Sequence, residues 1–190
     1  MRSVIRAFIA ISLDPRVIRE ISEAIVQLRR AIPEVRWMAP DKIHLTIKFL
    51  GDIEPSRVDP IANALEQALK LFPRFTINAK GLGVFPALRR PRVLWVGLES
   101  SQLMKLAAQV EAALEPLGFL PEARGFQPHL TIGRWRQFDG PAKNLLEELE
   151  RWKSHDYGAS KVEAVTLFQS VLKPDGALHQ PLRVIAIAQE

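Results

Sequence analysis

The 190-residue chain contains no cysteine. Disulfides, thiolate nucleophiles and every cysteine-based zinc or iron–sulfur site are therefore excluded. Long apolar runs are missing as well, because Arg, Lys, Asp or Glu interrupts each one well short of the ~20 residues that a membrane-crossing helix needs. The N-terminal stretch through Pro15 lacks the apolar centre and small-residue cleavage site of a secretory signal. No glycine-rich phosphate loop is present, since Gly81-Leu82-Gly83 has neither a third glycine nor a following helix. Nor does any Gly/Ser linker, low-complexity tract or shift in composition divide the chain. The expectation is a single cytoplasmic domain over residues 1–190, with no membrane partner.

Hydrophobic residues make up 47% of the chain, enough for one substantial core. The 26 Lys and Arg against 21 Asp and Glu leave a net charge of +5. That excess suits an anionic partner, and nucleic acid is the first candidate.

The tetrapeptide His-Leu-Thr-Ile occurs twice, at His44-Leu45-Thr46-Ile47 and 85 residues later at His129-Leu130-Thr131-Ile132. Its surroundings repeat too. Residues 6–13 read as a strand, after which Asp14 and Pro15 supply an N-cap and a first-turn proline. Residues 93–98 read as a strand, and Ser100 or Ser101 begins the next helix. Downstream of the first motif, Ser56 opens a helical pattern with Val58, Ile61, Leu65 and Leu69 on one face. Downstream of the second, Pro141 opens another with Leu145, Leu149 and Trp152. Each pattern gives way to a strand-rich segment, residues 75–85 and 161–172. Hairpins at 85–93 and 172–182 favour antiparallel pairing. The fold class is α+β, a bilobal pseudo-twofold duplication with mainly antiparallel sheets, helices outside and a central cleft.

Two of the four histidines, His44 and His129, occupy equivalent places in this repeat, whereas His155 and His179 have no counterpart and read as surface residues. Strand alternation puts His44 with Thr46, and His129 with Thr131, on one face, leaving the aliphatic pairs for the core. Two imidazoles near neutrality can divide acid and base duties, and hydroxyls beside them can hold phosphate oxygens. Without cysteine or an acidic cluster nearby, the pair makes a poor zinc ligand set. By the same alternation Lys48 shares the face of His44, whereas Arg134 points away from His129 unless Gly133 permits a bulge. Arg89, Arg90 and Arg92 flank Pro91 in a loop, where contact with a nucleic-acid backbone and plain solvation both remain open. The tryptophans are core candidates, except that Trp135 is also placed to line the cleft.

These residues resemble the 2H phosphoesterase superfamily. The ordered set Arg6-Ala7-Phe8-Ile9-Ala10-Ile11, Val35-Arg36-Trp37, Ile43-His44 through Gly51, Gly81 through Pro86, Arg90 through Trp95 and Phe126-Gln127-Pro128-His129 is similar to its bacterial and archaeal RNA 2′,3′-cyclic phosphodiesterases, also called 2′-5′ RNA ligases. The resemblance implies no metal and no cofactor. It implies His44 as proton donor to the departing O3′, His129 as the base that activates water, and a 2′-phosphate product. Thr46, Thr131 and Arg134 would bind the phosphate, and Lys48, by its place on the His44 face rather than by the resemblance, is a further candidate cation. The implied substrate is RNA with a 2′,3′-cyclic phosphate end, such as a tRNA half. A monomer without an obligate protein partner is expected. The same chemistry admits 2′-5′ ligation, and a non-catalytic RNA-binding module is the alternative from another class.

Overall fold

The computed structural model describes residues 3–122, 125–136, 144–173 and 176–188. The strands are β1 (Ile5–Ile11), β2 (Arg36–Trp37), β3 (Leu45–Ile53), β4 (Phe75–Phe85), β5 (Val93–Glu99), β6 (His129–Arg134), β7 (Asp156–Val162), β8 (Ala164–Lys173) and β9 (Gly176–Ala186). The helices are α1 (Pro15–Ala31), α2 (Val58–Leu69), α3 (Ser101–Leu114) and α4 (Leu145–Trp152). The fold is the expected α+β class, an antiparallel sheet covered by four helices.

The repeat is visible in the strand order, β7-β4-β5-β6-β3-β1-β8-β9, with β2 added beside β6. The motif strands β6 and β3 sit at the centre and join through one register pair, Leu45 with Leu130. Outward from that junction, β5 and β4 follow β6 as β1 and β8 follow β3. Strand β4 comes from the first half of the chain but completes the second lobe, while β8 does the reverse. The helices exchange similarly, with α1 and α4 packing near β7 and β4, and α2 and α3 near β9 and β3. This exchange joins both halves of the chain in one sheet.

Local chemistry sets the helix boundaries. Asp14 caps α1 by accepting a hydrogen bond from the Arg16 amide at 2.8 Å, with Pro15 in the first turn. The Val17, Ile21, Ala24, Ile25 and Leu28 stripe is buried. Ser100 caps α3. In α2, Val58, Ile61, Leu65 and Leu69 are buried as expected, although the α-helix starts after a short 3-10 turn at Pro55–Arg57. Leu145 and Trp152 anchor α4, and its expected start at Pro141 lies outside the described residues. The strand-rich segment at 161–172 comprises the end of β7 and most of β8, parted at Glu163. Among the described residues no helix is long and apolar enough to cross a membrane.

Candidate active site

Register partners in a sheet point to the same face. Leu45 and Leu130 are both buried, at 1% and 0% exposure, on the face that the helices cover. The residues on either side of each leucine therefore project to the opposite, uncovered face. Continuing the antiparallel register sets His44 across from Thr131 and Thr46 across from His129. The two lobes thus bring two imidazoles and two hydroxyls onto one face, as the repeat suggested.

Each imidazole is tethered by the main chain two residues upstream. Nδ1 of His129 lies 2.6 Å from the Gln127 carbonyl oxygen. A carbonyl only accepts, so Nδ1 carries the proton and Nε2 is left for chemistry. His44 has a main-chain hydrogen bond to Lys42 that favours its protonated form, as a carbonyl acceptor does. Gln127 lies one repeat period after Lys42. Aromatic rings complete each mount. Phe85 meets His129 edge-on at 4.9 Å, and Phe8 stacks on His44 at 5.0 Å. Burial, then the charge of His179, lowers His44 from its ordinary value of 6.5 to about 4.

Arg134 shares the face of both motifs. Along β6, His129 pairs with Gly97, Thr131 with Trp95 and Arg134 with Val93, all on one face of β5. The register slips between Thr131 and Gly133, so Ile132 is the extra residue of a bulge, and alternation breaks there. Gly133 has a different task. A Cβ on it would stand 2.3 Å from Cγ1 of Val35, so its lack of a side chain admits Val35 and the β2 strand that follows it. That approach makes Arg36 the register partner of Arg134. Two like charges side by side on a sheet repel, and among the described residues neither has an acidic partner within ion-pair distance. The sequence reading missed Arg36, although Arg36 belongs to one of the motifs that carry the family resemblance.

The same bulge recurs one period earlier, with the opposite consequence. Ala10 pairs with Thr46 and Ile9 with Lys48, so Ile47 is the extra residue and Lys48 turns to the helix-covered face. Lys48 is 2% exposed, and its ammonium donates to Glu111 Oε2 at 2.6 Å and to the Leu120 carbonyl at 2.9 Å. The expectation that Lys48 faces the phosphate is corrected, because the bulge inverts the alternation on which it rested. Phe49 takes the position equivalent to Arg134, pairing with Phe8 on the uncovered face.

Two further expectations change. Trp135 is buried at 4% exposure, and the tryptophan on the cleft face is Trp95, whose ring lies over Gly83 where a Cβ would be 2.1 Å away. His155 is exposed as expected, packed on Trp152 and Tyr157. His179 is half-buried, with its ring 5.0 Å from that of His44. Arg89, Arg90 and Arg92 are exposed. They lie in the β4–β5 connection beside Phe85. Among the described residues no three of His, Asp and Glu gather as a metal-ligand cluster.

A profile described as LigT-like phosphoesterase matches the chain twice, over residues 14–95 and 96–179. An RNA 2′,3′-cyclic phosphodiesterase of Aquifex aeolicus is 34% identical over 180 residues, covering 93% of this chain and 94% of its own. A Methanothermobacter thermautotrophicus protein of the same name is 31% identical, over 96% and 99%. Among solved structures, a Thermus thermophilus protein superposes with a TM-score of 0.81 at 25% identity, over 96% of this chain and 97% of its own. Apo LigT of E. coli superposes with a TM-score of 0.76 at 22% identity, over 98% and 99%, and supports the fold.

Proposed function

The chain belongs to the LigT-like phosphoesterase family, and on that premise we propose how it acts as an RNA 2′,3′-cyclic phosphodiesterase. The observation that carries the reading is the Leu45–Leu130 junction, which sets both His–Thr pairs on one face with Arg134 beside them. A cyclic phosphate seated there lies between the two imidazoles. Thr46, Thr131 and Arg134 donate to its non-bridging oxygens, and Arg36 adds a second positive charge.

His129 takes a proton from water through Nε2 as the water oxygen attacks phosphorus. The bond from phosphorus to O3′ breaks, and protonated His44 delivers its proton to O3′. The products are a 3′-hydroxyl and a 2′-phosphomonoester, with one proton gained by His129 and one lost by His44. In the empty cleft His44 favours the neutral form near pH 7, because burial disfavours its charge. The negative phosphate reverses that preference on binding, so the substrate itself loads the acid. Replacing water by the 5′-hydroxyl of a second RNA gives 2′-5′ ligation by the same proton transfers. Both histidines come from one chain, so a monomer carries the whole site.

The test is product analysis on a short RNA with a 2′,3′-cyclic end, with EDTA present. A 2′-phosphomonoester formed at undiminished rate is expected. A 3′-phosphate product, or loss of activity restored by a divalent ion, would overturn this mechanism. Binding without turnover would favour the non-catalytic module.

A further inference from the structure

His179 of β9 pairs with Ser170 of β8, and Ser170 with Arg6 of β1, which places His179 on the same face as Phe8. Its ring meets His44 edge-on, with centroids 5.0 Å apart and planes at 85°. It meets Phe8 in the same manner, at 4.9 Å and 79°. His44 in turn lies over Phe8 at 5.0 Å and 29°. Three rings therefore close on one another, with His179 packed against both His44 and Phe8. Nδ1 of His179 is buried without a hydrogen-bond partner among the described residues. Its own hydrogen bonding therefore does not explain the placement.

We infer that His179 is a positioning residue for His44: packed on its edge, it fixes the direction of that ring and makes the two imidazoles take up protons as a pair. This rests on the proposed role of His44 as the acid, although the ring contact itself does not. Two imidazolium rings in edge contact repel, so protonating one disfavours protonating the other. The surrounding charges add to this. Lys42 opposes a charge on His179, and Asp41 favours it, both acting after the larger effect of burial. Arg6 shares the His179 face through Ser170. A charge on either ring therefore opposes a charge on the other, and an anion between the lobes offsets that opposition at His44. His179 thus adds to burial in keeping the acid discharged until phosphate arrives.

The experiment is an NMR titration of the imidazole resonances in the wild-type chain, His179→Phe and His179→Ala, alongside kcat/KM against pH on a short cyclic-phosphate RNA. His179→Phe keeps a ring on the His44 edge and removes its charge. The His44 midpoint should rise in this variant, and the acid limb of kcat/KM should move with it. His179→Ala removes the ring as well, so the midpoint should rise further. With the ring no longer held, kcat should fall at least ~10-fold with KM changed less than ~3-fold. An unmoved His44 midpoint in His179→Phe overturns the pairing, and an unmoved kcat in His179→Ala overturns the positioning. The titration needs no turnover. A shifted midpoint in a chain that leaves cyclic phosphates intact would uphold the pair and refute the phosphodiesterase reading alone.

Discussion

Leu45 and Leu130 are the one register pair joining β3 to β6, and each is the other's equivalent in the repeat. The pseudo-twofold axis therefore passes between them. Whatever flanks one leucine is met across the axis by its counterpart's neighbour, so His44 faces Thr131 and His129 faces Thr46. A duplicated half needs only one His-X-Thr strand to build a site with two imidazoles and two hydroxyls. The lobes then differ in what surrounds each histidine. Phe8, Phe168 and His179 enclose His44, whereas His129 meets Phe85 and lies near Trp95 and Arg134.

Acid and base roles separate by leaving group. His44→Ala and His129→Ala should each lower turnover at least ~10²-fold on the natural cyclic phosphate. A substrate with sulfur at the bridging 3′ position expels a thiolate that needs no proton. On that substrate His44→Ala should recover most of its rate and His129→Ala should not. Recovery in His129→Ala instead would reverse the two roles. That reversed assignment is the one the low proton affinity of His44 in the empty cleft would favour.

Arg134 reaches the face of His129 and Thr131 only because Ile132 is bulged. Arg134→Ala should lose ~10²–10³-fold in kcat/KM, the scale of a missing oxyanion donor. Arg134→Lys should restore part of it, since an ammonium lacks the forked donor pair of a guanidinium. Gly133→Ala should destabilise by ~1–3 kcal/mol through the clash with Val35. Adding Val35→Ala should offset that cost, so that urea denaturation of the double variant shows less than the sum of the single losses. Strictly additive losses would mean that the two side chains do not compete for this space.

Much of this site was legible in the sequence because it rests on local signals. The caps at Asp14 and Ser100, the apolar stripe of α2 and the repeated tetrapeptide all lie within a few residues of what they specify. The bulges at Ile47 and Ile132 were not legible, because a bulge is set by how a neighbouring strand pairs. Gly133 hinted at one, and Lys48 gave no hint of the other. Simple alternation consequently put Lys48 in the cleft and left Arg134 in dispute. His179 was invisible for a related reason. It has no partner in the repeat, and only the pairing of β9 with β8 carries it to His44.

With Lys48 removed from the phosphate, its substitution becomes a question of stability. Lys48→Met leaves Glu111 with its charge and the Leu120 carbonyl without its donor. Glu111 retains some exposure, so the loss should be about 2–3 kcal/mol, at or below the low end for a broken buried pair. Adding Glu111→Leu should recover much of it, since an apolar pair of similar volume carries no desolvation cost. kcat/KM of the folded Lys48→Met chain should stay within ~3-fold of wild type. A ~10²-fold loss in a chain of unchanged stability would return Lys48 to the phosphate.

The enclosure of His44 also has a thermodynamic signature. Burial first, and the charge of His179 second, hold His44 at about 4 when folded, against 6.5 as its ordinary value. The unfolded chain therefore binds this proton more readily than the folded one. Stability from His44 is complete above about pH 6.5 and is lost progressively as pH falls through the folded value near 4. The full shift corresponds to on the order of 3 kcal/mol. His179 is also lowered, chiefly by burial, and acts in the same direction. Carboxylates titrate at the acid end of this window, so the informative quantity is the difference between wild type and His44→Phe, which keeps a ring on Phe8 without a titrating group. Urea unfolding at intervals from pH 7 to pH 4 should show wild type losing stability faster than His44→Phe. A difference that stays level across that range would mean that His44 is solvated when folded, and that the rings of Phe8 and His179 do not enclose it.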